Sequence, residues 1–247
     1  MGVRGTLTKG KFGYSMPVQA PLYPSPPFLY RDASLIFFEY ATDPRIAATI
    51  VPEELELADP PTALVAFASY PWSSLGAYLE VVQIINVLYK GKPTRYAVHL
   101  YVTTDQAMGA GREVGGYPKK LAKIAFQYDT AFQGRVERPD GLTLATGVMR
   151  PEEKLPLAFP ITHDYVCLRL IPSPIANAQP TLCELLTSRW VLLSGEMWRG
   201  PGTCVLTGAS ALDPLHLVPI VEPVASLYFR GDFEVSPSLP GDETPIC

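Results

Sequence analysis

The chain is poor in the residues that most often announce a reaction. Its three histidines and four cysteines are dispersed with no CxxC pair, so no spacing suggests a His/Cys metal centre. Charge is scarce as well. Asp, Glu, Lys and Arg make up 18% of the residues, and a net charge of −4 leaves no basic footprint for nucleic acid. An anionic membrane surface is equally unexpected as a target. No run approaches the roughly 20 apolar residues that a membrane-spanning helix needs. Near the N-terminus Lys9, Lys11, prolines and glycines interrupt the apolar residues, so no signal peptide is expected. The expectation is a cytoplasmic protein with reduced thiols at Cys167, Cys183, Cys204 and Cys247. Neither an internal repeat nor a low-complexity tract is found.

What is present is apolar and much interrupted. The 247 residues are 47% hydrophobic, enough for a substantial core, and 26 prolines with 19 glycines suit many turns between short strands. Strands are expected at Ser34 to Tyr40, Thr62 to Tyr70, Tyr78 to Tyr89 and Tyr96 to Thr103. Further candidates are Ile124 to Asp129, Gly134 to Glu137, Leu142 to Met149, Val166 to Ile171, Leu182 to Leu193 and Ala225 to Glu234. Between Tyr96 and Thr103 the alternation puts Tyr96, Val98, Leu100 and Val102 on one face, and Ala97, His99, Tyr101 and Thr103 on the other. Lys90-Gly91-Lys92-Pro93 reads as a hairpin turn. Thr42-Asp43-Pro44 opens a short helix ending near Ile50, and Pro151 to Leu157 and Pro214 to Leu217 are candidates for others. Residues 1–29 are expected to form an irregular arm and 30–247 a single, mainly antiparallel β domain, a barrel or sandwich with a few helices outside. A split near residue 150 is the alternative.

One stretch stands apart: Gly111-Arg112-Glu113-Val114-Gly115-Gly116-Tyr117-Pro118-Lys119-Lys120. It sets two lysines after a Gly-Gly-aromatic-Pro turn. A lysine amine is a nucleophile only when neutral, and an ordinary one, with pKa about 10.4, is almost wholly protonated near pH 7. Desolvation or a neighbouring cation disfavours the charged form. A Lys-Lys pair in an apolar pocket is therefore a way to build a Schiff-base site, although the same dipeptide is compatible with a solvated pair after a turn. On a regular strand the two would point to opposite faces, which weakens direct coupling. Glu80, in Tyr78-Leu79-Glu80-Val81-Val82, is costly to bury unless paired or protonated. It is either an outward-facing strand residue or a general acid/base in the pocket. Arg112 and Glu113 read as braces for the turn before Pro118.

At these residues the sequence resembles the acetoacetate decarboxylase family. The motif runs from Gly109 to Leu121, and Tyr78-Leu79-Glu80 stands at the family's distance ahead of it. Thr42-Asp43 and Val51 to Leu57 resemble the N-terminal landmarks. Leu182-Cys183-Glu184-Leu185-Leu186 and Ala211-Leu212-Asp213-Pro214-Leu215 resemble the C-terminal ones. The resemblance implies an α+β, mainly β fold: a cone-shaped antiparallel β-barrel with flanking helices and an apolar funnel, in a homo-oligomer. By position Lys119 matches the Schiff-base lysine, Lys120 its neighbour and Glu80 the essential acid. Acetoacetate decarboxylase is itself the standing example of a lysine activated by desolvation or a cationic neighbour. No metal or organic cofactor is implied, and the implied partner is a small carbonyl compound, a β-keto acid or oxo-acid.

The chain departs from that pattern twice. A second family carboxylate falls on Val65, and the family's arginine falls on Ala33, with Arg31 two residues away as a substitute on the same strand face. Arg31, Val65, Tyr117 and Arg112 are thus the expected substrate contacts. Decarboxylation through a lysine imine is the leading expectation. Schiff-base aldol, dehydratase or cyclase chemistry on an oxo-acid or polyketide-like carbonyl compound is the alternative that Val65 motivates. A non-catalytic ligand-binding protein is the third.

Overall fold

The computed structural model describes residues 2–157, 163–236 and 238–246. Strands dominate it. They are β1 (Phe28–Ala41), β2 (Glu56–Leu57), β3 (Thr62–Tyr70), β4 (Trp72–Ser73), β5 (Tyr78–Tyr89), β6 (Lys92–Val102), β7 (Lys119–Leu121) and β8 (Lys123–Tyr128). They continue with β9 (Phe132–Glu137), β10 (Thr143–Met149), β11 (Glu153–Leu155), β12 (Tyr165–Ile171), β13 (Leu182–Arg199), β14 (Gly202–Leu206), β15 (Glu222–Ser236) and β16 (Glu243–Pro245). The α-helices are α1 (Pro44–Ala48), capped by the Asp43 carboxylate on the Arg45 and Ile46 N–H groups, and α2 (Asp105–Val114). No described helix is long and apolar enough to cross a membrane.

The main sheet closes on itself. Its path runs β5-β3-β1-β15-β13-β12-β6, and β6 pairs back with β5. Most contacts are antiparallel as expected, but β6 pairs in parallel with both β12 and β7. A smaller sheet, β14-β10-β9-β8, covers one outer side. The strands are apolar on both faces because both faces are buried. Inside the ring lie Phe37, Leu64, Ala66, Val82, Leu100 and Phe229. Outside it, Ile36, Phe38, Val65 and Phe67 meet Ile124, Val136 and Leu144 of the smaller sheet. Burying two such faces is the dominant stabilising contribution, at about 25 cal/mol per Å² of apolar surface.

Several local expectations need correction. Strand β6 is not a regular alternation. Gln83 pairs with His99 while its neighbour Ile84 pairs with Ala97, so Val98 is an extra residue, a β-bulge. The bulge leaves Tyr96, Val98 and Tyr101 on the outer side and turns Ala97, Leu100 and Val102 inward. Helix α2 was not visible in a segment with glycines at 109 and 111, because glycine is a poor helix former. Residues 151–157 hold the short strand β11 instead of a helix, and Leu215–Leu217 is a single 3-10 turn. The arm before β1 needs no such correction: it packs on the body, with Ser15 and Tyr23 buried and the Tyr23 hydroxyl donating to Glu113. The reading of four reduced thiols fails at Cys183, which is disulfide-bonded, whereas Cys167 and Cys204 are free. Sequence spacing does not reveal that β13, which carries Cys183, runs beside the C-terminal strand β16. Cys247 lies outside the described residues.

Gly116 holds the turn that follows α2. It has φ +69°, and a Cβ there would lie 2.7 Å from the Cβ of Arg169 and 2.9 Å from its backbone N. A side chain at this position meets both a left-handed backbone and a rigid neighbouring strand. Gly116→Ala is expected to cost about 3 kcal/mol, read as a lowered urea midpoint at unchanged slope. A midpoint equal to that of the parent chain would show that β12 yields.

Candidate active site

Lys119 reaches the interior of the ring by a short and constrained route. Helix α2 ends at Val114, the Tyr117 N–H donates to the Gly111 carbonyl at 3.0 Å, and β7 then runs parallel to β6 with Lys119 opposite Leu100. Because the Val98 bulge has turned Leu100 inward, Lys119 faces inward beside it. Its neighbour does the reverse. Lys120, opposite Tyr101, leaves on the outer face and pairs with Asp213 at 2.9 Å. Asp213 also forms an ion pair with Arg138 at 3.2 Å and accepts a hydrogen bond from the Tyr101 hydroxyl at 3.3 Å. The adjacent lysines therefore belong to separate environments.

Inside, Lys119 Nζ lies 2.7 Å from Glu80 Oε2, and each side chain is only 7% exposed. Glu80 faces inward because Tyr78, Glu80, Val82 and Ile84 share one side of β5. The Tyr70 hydroxyl donates to Glu80 Oε1 at 3.3 Å, and the Tyr30 and Tyr78 hydroxyls bond each other at 3.0 Å. The rings of Tyr78 and Tyr117 each lie 5.6 Å from Lys119 Nζ. Burial first, and then neighbouring charge and phenols including Glu80, hold Tyr30, Tyr70 and Tyr78 well above the ordinary phenol range. All three are neutral hydrogen-bond donors at physiological pH. The buried ion pair thus sits among phenols that carry no charge of their own.

The pair opens onto a cavity of about 450 Å³, whose walls include Tyr30, Leu35, Phe37, Ala66, Val82 and Leu100. Tyr117 lines it and hydrogen-bonds Ser188, with Trp190 Nε1 donating to the Tyr117 hydroxyl at 3.4 Å. The other expected substrate contacts lie elsewhere. Arg31 is turned outward by a bulge between Tyr30 and Ala33, both of which face in, and its guanidinium sits 3.8 Å from Asp232. Asp32, with φ 52°, makes that bulge. Val65 is fully buried in the layer between the ring and the smaller sheet, and it is Ala66 that lines the cavity. Arg112 is exposed and donates to the Lys119 carbonyl at 3.3 Å, bracing the backbone of β7.

The sequence reading missed the tyrosine cluster around Glu80, and also Arg169, Glu184, Ser188 and Trp190 in the walls. A signal for part of it was present. Tyr78 stands two residues before Glu80 and so shares its face, and Tyr70 pairs directly with Tyr78 across β3 and β5. Among the described residues no three His, Cys, Asp or Glu side chains converge as a metal site.

On the outer face, desolvation and then the Lys120 charge pull His99 down to about 4. The unfolded chain takes up this proton near the ordinary imidazole value of about 6.5, before the folded one does. The stabilising contribution is full above that value and is lost as pH falls toward 4, an effect on the order of 3 kcal/mol. Melting of His99→Gln against the parent chain between pH 7 and 4.5 checks this. A Tm difference that does not change with pH contradicts it.

The acetoacetate decarboxylase family profile matches residues 15–240. The chain is 30% identical over 246 residues to Decarboxylase DEC1 of Cochliobolus heterostrophus, covering 94% of this chain and 95% of that protein. It is 31% identical over 232 residues to Acetoacetate decarboxylase 1 of Bradyrhizobium diazoefficiens, covering 89% and 88%. A solved acetoacetate decarboxylase structure superposes with a TM-score of 0.84 at 25% identity, covering 97% of this chain and 98% of that one. The chain belongs to the acetoacetate decarboxylase family.

Proposed function

We propose that the protein decarboxylates a β-keto acid through an imine on Lys119. The observation that carries this reading is the buried Lys119–Glu80 pair at the floor of a mainly apolar cavity. The contact of 2.7 Å lets the ammonium hand a proton to Glu80, leaving a neutral amine. The amine attacks the ketone carbon and forms a carbinolamine. Glu80, now carrying the proton, gives it to the departing hydroxyl, and water leaves as the protonated imine forms. The bond to the carboxylate then breaks. Its electron pair moves into the iminium, so CO2 departs and an enamine remains. A proton returned to the enamine carbon, followed by hydrolysis, releases the ketone and frees Lys119.

The surroundings favour the central step. A carboxylate is costly in an apolar cavity, and CO2 is not, so charge is relieved as the bond breaks. The Tyr30–Tyr78 hydroxyl pair keeps one O–H to donate to an oxygen atom that gains charge on the way, and Tyr70 holds Glu80. The iminium is the electron sink, so the scheme needs no further cofactor. Val65 lends no support to an aldol or cyclase outcome, because its side chain faces away from the cavity. Incubation with acetoacetate and borohydride, followed by peptide mass spectrometry, tests the reading. A reduced adduct on Lys119 is expected. Turnover of acetoacetate without an adduct on that residue would overturn the imine route.

A further inference from the structure

The cavity is far larger than a short keto acid requires, and its lining has a direction. At the floor, Lys119, Glu80 and Tyr70 are 6%, 5% and 2% exposed, while at the rim Tyr14 and Leu239 are 53% and 56% exposed. The reacting carbonyl therefore sits deep, and anything attached to it extends toward the rim. At roughly 30 Å³ per water-sized group, about 450 Å³ holds on the order of 15 such groups, and acetoacetate fills less than half of that.

The walls are mainly apolar, with Arg169, Glu184 and Ser188 as polar exceptions, and their aromatic part is interlocked. Trp190 stacks on Tyr165 at 5.1 Å and on Phe233 at 4.5 Å, which fixes its ring in the wall. Charge near the rim is unfavourable to a second anion. Arg169 is the one lining cation besides Lys119 among the described residues. Its guanidinium donates to the carbonyls of Glu113 and Val114 at the end of α2 and pairs with the carboxylate of Glu184, with its Nε buried and unpartnered. Glu243, exposed in the lining, joins Glu80 and Glu184, so three lining carboxylates face two lining cations among the described residues.

We infer that the substrate is a β-keto acid whose ketone carries an extended, uncharged tail, seated between the tyrosine floor and the rim. This rests on the imine reading, and it adds which keto acid the site selects. Each methylene that leaves water for this wall improves transition-state binding about fourfold for as long as the chain stays inside.

The test is kcat/KM across acetoacetate, β-ketohexanoate, β-ketooctanoate and β-ketodecanoate, with the analogue of β-ketooctanoate bearing a terminal carboxylate as the charged control. Borohydride trapping accompanies each compound. The expected result is a rise of about 100-fold or more from acetoacetate to β-ketooctanoate, with the charged control falling back by a similar factor. A flat or falling series, with acetoacetate still trapped on Lys119, overturns the inference and leaves the imine reading standing. A charged control as good as its neutral counterpart overturns the claim that the tail is uncharged. No adduct from any keto acid of the series overturns both readings together.

Discussion

Lys119→Met is expected to abolish turnover, by on the order of 10⁴-fold or more, and to lower stability at the same time. The two losses have different origins. Without an amine there is no imine, so the electron sink for the departing carboxylate is gone. Without a cation, Glu80 is left as an uncompensated charge in a site where its side chain is 7% exposed. Breaking a buried pair in this way costs about 3–5 kcal/mol, or roughly 10 °C in Tm for a chain of this size. Lys119→Arg separates the effects. It keeps a cation near Glu80, so its Tm should fall by less, yet a guanidinium forms no imine under these conditions and turnover should stay absent. Steady-state rates and calorimetry on the two variants measure both. Full activity in Lys119→Arg would remove Lys119 from the chemistry altogether.

Gly111→Ala carries the second large effect, and it should leave the fold intact. Gly111 lies on α2 with its face toward the ring, and a Cβ there would come 2.4 Å from Lys119 Cδ and 2.7 Å from Cε. What it meets is a side-chain stem and not backbone, so the fold can accept the methyl by moving the lysine. Alanine is the better helix residue by about 1 kcal/mol, which offsets part of the cost of loosening the buried Lys119–Glu80 pair, so thermal stability should fall by less than in Lys119→Met. The amine, however, is displaced from Glu80 and from the carbonyl position. A shift of about 1 Å costs on the order of 100-fold in rate. The expected outcome is a stable protein with kcat down by about that factor and a slower rate of borohydride trapping. A stable variant of unchanged kcat would show that the lysine stem has more room than the packing indicates.

Much of the fold could be read from the sequence because its strands are long apolar runs between turns. Strands β3 and β5 coincide with Thr62 to Tyr70 and Tyr78 to Tyr89. The turn at Lys90 and Gly91 joins β5 to β6, with both residues at positive φ. What could not be read was which face is inside. Val65 and Ala66 are both apolar and both buried, one against the smaller sheet and one against the cavity. Alternation cannot choose between two apolar faces. Bulges are equally silent, since one extra residue at Val98 or near Asp32 changes no composition. The first turned Leu100 inward and the second turned Arg31 outward. The helix before the lysines was hidden for a different reason: its glycines weaken helix propensity, and Gly111 is tolerated because Lys119 passes over it. The proximity of Lys119 to Glu80 was legible only through the family's spacing, because it depends on a parallel pairing of β6 with β7.

The division of the two lysines between opposite faces of β7 makes the chemistry sensitive to parity. Inserting or deleting one residue between the end of α2 and β7 would present Lys120 to the cavity and send Lys119 toward Asp213, with composition and charge almost unchanged. An ordinary surface turn absorbs such an event, and this one does not. The same holds for the bulge at Val98, whose loss would reverse Leu100 and Tyr101 on the strand that β7 copies. Change in this segment is therefore open to substitution and closed to length, because counting residues, more than choosing them, decides which amine meets the substrate.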